Sequence, residues 1–188
     1  MTEPRWLTDD EREAWLRLMA VTMLLPGRLE AQLKRDAGLS HFEYYVLAMI
    51  SESTDRSLAL SELAARTNSS LSRLSHVIAR LELQGLLTRC ASPSDGRTSI
   101  AQLSEAGWAK VVASAPGHVE EVRTVVFDSL TPGQVAQLSE ICGSLLGTLV
   151  ESHNTRRALA TRRLLIHLIS LWRACRSNSG PTNRSQLL

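Results

Sequence analysis

The chain has 188 residues, 44% of them apolar and 21% charged, with a formal net charge of +2. That length supports one good core and an accessory region, and the composition is ordinary for a globular protein. Three cysteines (Cys90, Cys142 and Cys175), with no CxxC spacing and no clustered histidines, exclude a disulfide framework and a structural zinc site. They read as reduced thiols buried like small apolar residues. Positions 1–6 carry no apolar signal stretch, and the longest mainly apolar run, Leu164 to Trp172, is about half of the ~20 residues a membrane span needs. No transmembrane segment and a cytoplasmic location are therefore expected, with no cofactor and no metal.

Charge is unevenly placed. Residues 153–188 hold seven arginines and no acid, which leaves −5 on residues 1–152. Residues 57–103 hold five arginines (66, 73, 80, 89, 97) against Glu62, Glu82 and Asp95. A local excess of this size suits a small docking surface for nucleic acid and does not suit a general polyanion binder.

In chain order, Thr8 and Glu11 form a capping box that opens a first helix through Trp15, Leu18, Met19, Leu25, Leu29 and Leu33. Pro26-Gly27 predicts a kink in it, and Gly38 ends it. Ser40 and Glu43 make a second capping box, starting a helix through Tyr44, Leu47, Ala48 and Ile50. Residues 51–57 are polar and read as a loop. Ser61 is the predicted cap of a short third helix, Glu62 to Thr67. Asn68-Ser69-Ser70 then turns the chain into a fourth helix that stops at Gly85. Leu86 to Ala91 and Thr98 to Leu103 read as strands joined by the tip Ser92 to Arg97. Ser104 caps a fifth helix, which carries Trp108, Val111, Val112, Val119, Val122 and Val126 and is interrupted or bent at Pro116-Gly117. Thr131-Pro132-Gly133-Gln134 opens a sixth, running to about Ser152.

The fourth helix is the informative one. At 100° per residue, Leu71, Leu74, Ile78 and Leu81 fall on one stripe about 80° wide. Ser69, Ser72, Arg73, His76 and Arg80 fall on the opposite side, which carries no carboxylate. Arginine can grip a guanine edge with two donors, and serine can reach phosphate or base. The wing adds Asp95-Gly96, a tight-turn signal, followed at once by Arg97. An arginine on a slender tip can enter a narrow minor groove, with the Asp95 carboxylate orienting its guanidinium. The alternative is an exposed polar face with plain turn chemistry beside it.

These residues resemble the MarR family of multiple-antibiotic-resistance regulators. The likeness runs through Leu63-Ala64, Ser-Ser-Leu-Ser-Arg-Leu at 69–74, Arg80-Leu81-Glu82, Gly85-Leu86, Arg89 and Asp95-Gly96-Arg97. It continues through Leu103-Ser104-Glu105-Ala106-Gly107 and Leu130-Thr131-Pro132, and covers roughly residues 8–152. It implies a mainly α fold with a small β-hairpin wing, a winged helix-turn-helix with an interleaved helical dimerisation region. It also implies a homodimer on double-stranded DNA with a palindromic operator, most often a repressor released by a small, often aromatic, molecule. The implied layout is residues 1–39 as arm and first dimerisation helix, 40–103 as DNA-binding domain, 104–152 as dimerisation helices and 153–188 as a basic, partly disordered extension.

The DNA-contacting set expected from these readings is Ser69, Ser70, Ser72, Arg73, His76, Arg80, Asp95 and Arg97. By analogy alone, Trp15, Met19, His41, Tyr44 and Tyr45 are candidates to line an effector cleft, with core packing as the plainer alternative. The segment His118 to Arg123 shows no partner and reads as a solvated or interfacial face. Residues 155–176 read as a basic amphipathic helix that packs on its own dimer, adheres to an anionic membrane or adds phosphate contacts. A winged-helix protein–protein module without DNA binding is the alternative function. No nucleophile elbow, phosphate loop or metal-ligand set points to an enzyme.

Overall fold

The computed structural model describes residues 3–91 and 98–151; the expectations for the wing tip, with Asp95 and Arg97, and for the extension 153–188 fall outside them. Helix α1 (Asp9–Ala37) starts at the capping box, where Thr8 Oγ1 accepts from the Glu11 N–H and Glu11 accepts from the Thr8 N–H. It ends on Gly38 in the left-handed conformation, φ 68°. It runs through Pro26 without a break, because a proline removes only one backbone bond from the ladder. Ser40 and Glu43 close the second box and begin α2 (His41–Ser51), whose Val46 to Ile50 segment is buried all round.

A short turn at Thr54–Arg56 leads into β1 (Ser57–Ala59), then α3 (Leu60–Arg66), α4 (Leu71–Leu83), β2 (Leu87–Ala91) and β3 (Ser99–Leu103). The three strands form one antiparallel sheet in the order β1-β3-β2, with both Leu58 and Arg89 opposite Ala101. β1 has no counterpart in the sequence reading, because three residues are too short to show alternation. It also corrects the cap of α3. That cap is Ala59 rather than Ser61, and it makes no side-chain bond, since the chain enters the helix straight from the strand.

Helix α5 (Glu105–Val122) continues through Pro116 into a π-helical turn at Arg123–Phe127, and α6 (Pro132–Glu151) follows. The Thr131–Gln134 box opens α6: Thr131 Oγ1 accepts from the Gln134 N–H and Gln134 Oε1 accepts from the Thr131 N–H. Both described cysteines, Cys90 of β2 and Cys142 of α6, are exposed, contrary to the expected burial.

The core lies between α2 and the elements around it: Leu33 of α1, Leu63 of α3, Leu74, Ile78 and Leu81 of α4, Leu87 and Ala101 of the sheet, and Val111 of α5. The sheet is fastened to the start of α5 around Ser104. The Ser104 N–H donates to the Leu86 carbonyl, Ser104 Oγ donates to the Gly85 carbonyl, and the same Oγ caps α5 by accepting from the Gly107 N–H. A Cβ at Gly107 would stand 1.9 Å from the Leu86 oxygen, so only glycine lets the backbones approach this closely.

At the other end of α2 lies a charge problem. Both carboxylate oxygens of Glu52 are buried without a hydrogen-bond partner. Burial pushes the Glu52 carboxyl up to about 7 against the pull of Arg66, whose guanidinium is bonded to Glu62. Burial and the Glu52 charge push the neighbouring Tyr45 phenol up to about 12, and its hydroxyl donates to the Arg66 carbonyl at 3.5 Å.

Gly107→Ala is expected to destabilise the fold by about 1–3 kcal/mol, read as a lowered urea midpoint, because the methyl group must push the Leu86 backbone aside. Glu52 gives a pH prediction. The folded protein keeps this proton up to about 7, whereas the unfolded chain releases it in the ordinary carboxylate range. Its contribution therefore makes stability fall as pH rises between those values and level off above them. Glu52→Gln should remove that slope, giving the variant its largest advantage over wild type at about pH 8 and least at about pH 4.

Candidate nucleic-acid interface

The α3–α4 turn is built by local polar bonds. Asn68 takes φ 47°, a conformation asparagine tolerates better than most side chains. Thr67 Oγ1 donates to the Leu63 carbonyl at 2.8 Å and shares a 2.9 Å hydrogen bond with Ser69 Oγ. The Ser69 side chain is buried in this turn, so it leaves the outward face that helical spacing assigns to it; the helix begins only at Leu71. Ser70 is the N-cap, accepting from the Arg73 N–H at 3.2 Å, and is exposed.

Leu74, Val77, Ile78 and Leu81 turn α4 into the core. Leu71 does not join them and is 54% exposed, because at the first helical position it projects beyond the end of the packed stripe. Ser72, Arg73, His76 and Arg80 are all exposed. The structure thus brings four expected contact residues, with Ser70 at the helix start, to one open face.

Two of these side chains meet the first turn of α2, a contact between distant segments that sequence spacing does not reveal. Arg73 Cζ sits 4.3 Å from the centroid of the Phe42 ring. Arg80 Nη1 lies 3.3 Å from Oε1 of Glu43, a residue only 2% exposed. Burial works to raise the Glu43 carboxyl, but the Ser40 N–H and hydroxyl, with Arg80 and Lys34, outweigh it and hold it low. Beyond α4, Glu82 ties the helix to the wing strand: it accepts from the Arg89 N–H at 3.2 Å and from Arg89 Nε at 2.8 Å. Those bonds keep its own carboxyl low.

The effector candidates do not form one cluster. Tyr44 is buried, with its ring 4.8 Å from that of His118, and the His41 ring is 6.0 Å from His118. His118 Nδ1 lies 3.4 Å from Gln32 Oε1, and the His41 N–H donates to Glu30 at 2.6 Å. Burial, with His41 adding, pushes the His118 imidazole down to about 4; burial also lowers His41 against the pull of Glu30. Tyr45 points the other way, toward Arg66. Trp15 and Met19 lie about 25 and 20 Å along α1 from Gln32 at 1.5 Å per residue, too far to share its surroundings within one protomer. The segment His118 to Arg123 also has partners after all. His118 meets α1 and α2, Glu121 takes Arg28 at 2.9 Å, and Arg123 reaches Asp128 at 3.4 Å.

Among the described residues no three His, Cys, Asp or Glu side chains converge on a metal position, and no helix is long and apolar enough to cross a membrane.

Comparison with known proteins places this architecture. The MarR family pattern matches residues 37–98, from the end of α1 to the wing. Comparison with curated protein sequences gives no match. Sco3205 of Streptomyces coelicolor, a MarR family transcriptional regulator solved in complex with DNA, is 41% identical, with a TM-score of 0.78 over 84% of this chain and 98% of its own. AbsC of the same organism, also a MarR family transcriptional regulator, is 37% identical, with a TM-score of 0.74 over 78% of this chain and 98% of its own. CouR of Rhodococcus jostii RHA1, solved bound to p-coumaroyl-CoA, shares the fold at 22% identity, with a TM-score of 0.63 over 76% of this chain and 95% of its own. With a relative of 41% identity matched over nearly its whole length, this chain belongs to the MarR family of transcriptional regulators.

Proposed function

We propose that the protein is a dimeric DNA-binding transcription regulator that lays α4 in the major groove of a palindromic operator and acts as a repressor released by a small ligand. The observation that carries this reading is the division of α4. Leu74, Val77, Ile78 and Leu81 are buried, while Ser72, Arg73, His76 and Arg80 stand exposed on a face without a carboxylate side chain of its own. Arg73 and Arg80 supply guanidinium groups for guanine edges or phosphates, and Ser70, Ser72 and His76 supply shorter donors. Arg97 is the proposed minor-groove contact, with Asp95 proposed to orient it. That Sco3205, 41% identical, was solved in complex with DNA supports DNA binding as the function.

A second copy of the chain is the proposed cover for the apolar surface of α1 and α6. Trp15, Leu16, Leu18, Val21, Met23 and Leu24 of α1 are exposed, as are Leu138, Ile141, Leu145 and Leu149 of α6. A helix with this much unburied apolar surface is an association surface. The proposed ligand acts where His41, Tyr44 and His118 meet, since these side chains join the helix-turn-helix to α5. Ligand-induced movement there would separate or rotate the two reading helices.

Arg73→Ala and Arg97→Ala should each weaken binding to an operator duplex by about 1–3 kcal/mol in fluorescence anisotropy, with binding that weakens steeply as salt rises. Wild-type affinity in both variants would remove the assignment. Leu145→Asp should shift sedimentation equilibrium from dimer to monomer and abolish tight operator binding; a dimer of unchanged strength would show that α6 is not the interface.

A further inference from the structure

The guanidinium groups of Arg73 and Arg80 are not free on the surface of α4. Seven residues apart, they lie about two turns from each other on one side of the helix. Each meets one of two consecutive residues in the first turn of α2: Arg73 the Phe42 ring at 4.3 Å, Arg80 the Glu43 carboxylate at 3.3 Å. That turn is itself rigid. Glu43 Oε2 accepts from the Ser40 N–H at 2.7 Å, Ser40 Oγ accepts from the Glu43 N–H, and Lys34 approaches the same carboxylate at 4.0 Å.

We infer that Phe42 and Glu43 are positioning residues for DNA recognition, holding the Arg73 and Arg80 guanidinium groups in their reading pose before DNA arrives. The inference rests on the proposed role of α4. Arginine is a flexible side chain whose planar fork must be oriented to grip a base edge, so fixing it in advance removes an entropic cost of binding. The Phe42 ring does this by presenting a flat negative face, against which the guanidinium settles while its edge donors stay outward. Glu43 does it by charge. Its Oε1 receives no aligned hydrogen bond, so the attraction to Arg80 holds the group near α2 without consuming its N–H donors. The same carboxylate also offsets the Arg80 charge, which weakens indiscriminate attraction to phosphate and raises the share of affinity that depends on sequence.

The test uses the full chain, a duplex selected by the wild-type protein from a randomised pool, and a shuffled duplex of the same composition. Phe42→Leu should lower the selected-to-shuffled affinity ratio by about three- to tenfold, and Phe42→Tyr, which keeps the ring, should restore it. Glu43→Gln, which preserves the acceptor for Ser40, should tighten shuffled-duplex binding, steepen its salt dependence by about one and lower the ratio. Urea midpoints of all variants separate these effects from loss of fold, and the ratio is compared only at temperatures where each variant is folded. Wild-type ratios in Phe42→Leu and Glu43→Gln, with a ratio lost in Arg73→Ala, would overturn the inference and leave the role of α4 standing. Failure of Phe42→Tyr to recover the ratio would overturn the role of the ring. An unchanged ratio in Arg73→Ala, or a pool from which nothing is selected, would overturn the role of α4 and the inference with it.

Discussion

Burial of one stripe of α4 in the core that it shares with α2, α3 and the sheet is the constraint on which the rest depends. Leu74, Ile78 and Leu81 are fully enclosed, and the middle of α2, part of the same core, is enclosed as well. Each such side chain contributes about 1.5–3 kcal/mol when withdrawn from water. The energetic choice is therefore made on the apolar side, and the serines, arginines and histidine opposite have their direction decided for them. A rotation of α4 by one residue would expose a leucine and bury a guanidinium, two costs at once.

The first turn of α2 joins the two halves of the molecule. His41 and Tyr44 look toward α1 and α5, where they meet His118. Phe42 and Glu43, between them in sequence, look toward α4. Four consecutive residues on a helix cover every direction around it, so alternate sides of one turn address different neighbours. The capping box at Ser40 and Glu43 serves both sides by fixing where that turn begins.

Much of this was legible in the sequence. Local chemistry announces itself, and so the boxes at Thr8, Ser40 and Thr131, the caps at Ser70 and Ser104, and the stops at Gly38 and Gly85 all stand where spacing puts them. The division of α4 is also a matter of period, apart from its first turn. There, an ideal helix extrapolated back over Ser69 and Leu71 sends one outward and the other inward, whereas the chain has already left helical geometry at Ser70. What the sequence did not show depends on contacts between distant segments. β1 exists only because β3 pairs with it, and the neighbours of Phe42, Glu43 and His118 come from other helices. The aromatic set read as one cleft is split, because Tyr44 and Tyr45 differ by 100° around α2 and Trp15 lies several turns from Gln32.

The bonds made by the Ser104 N–H and hydroxyl, with the close backbone approach at Gly107, fasten the root of the hairpin to the start of α5. The described strands and the long rod are thus joined at their base. In the proposed dimer, any swivel of that rod is passed directly to the base of the strands, so a displacement too small to disturb the interior changes how they are aimed at the duplex.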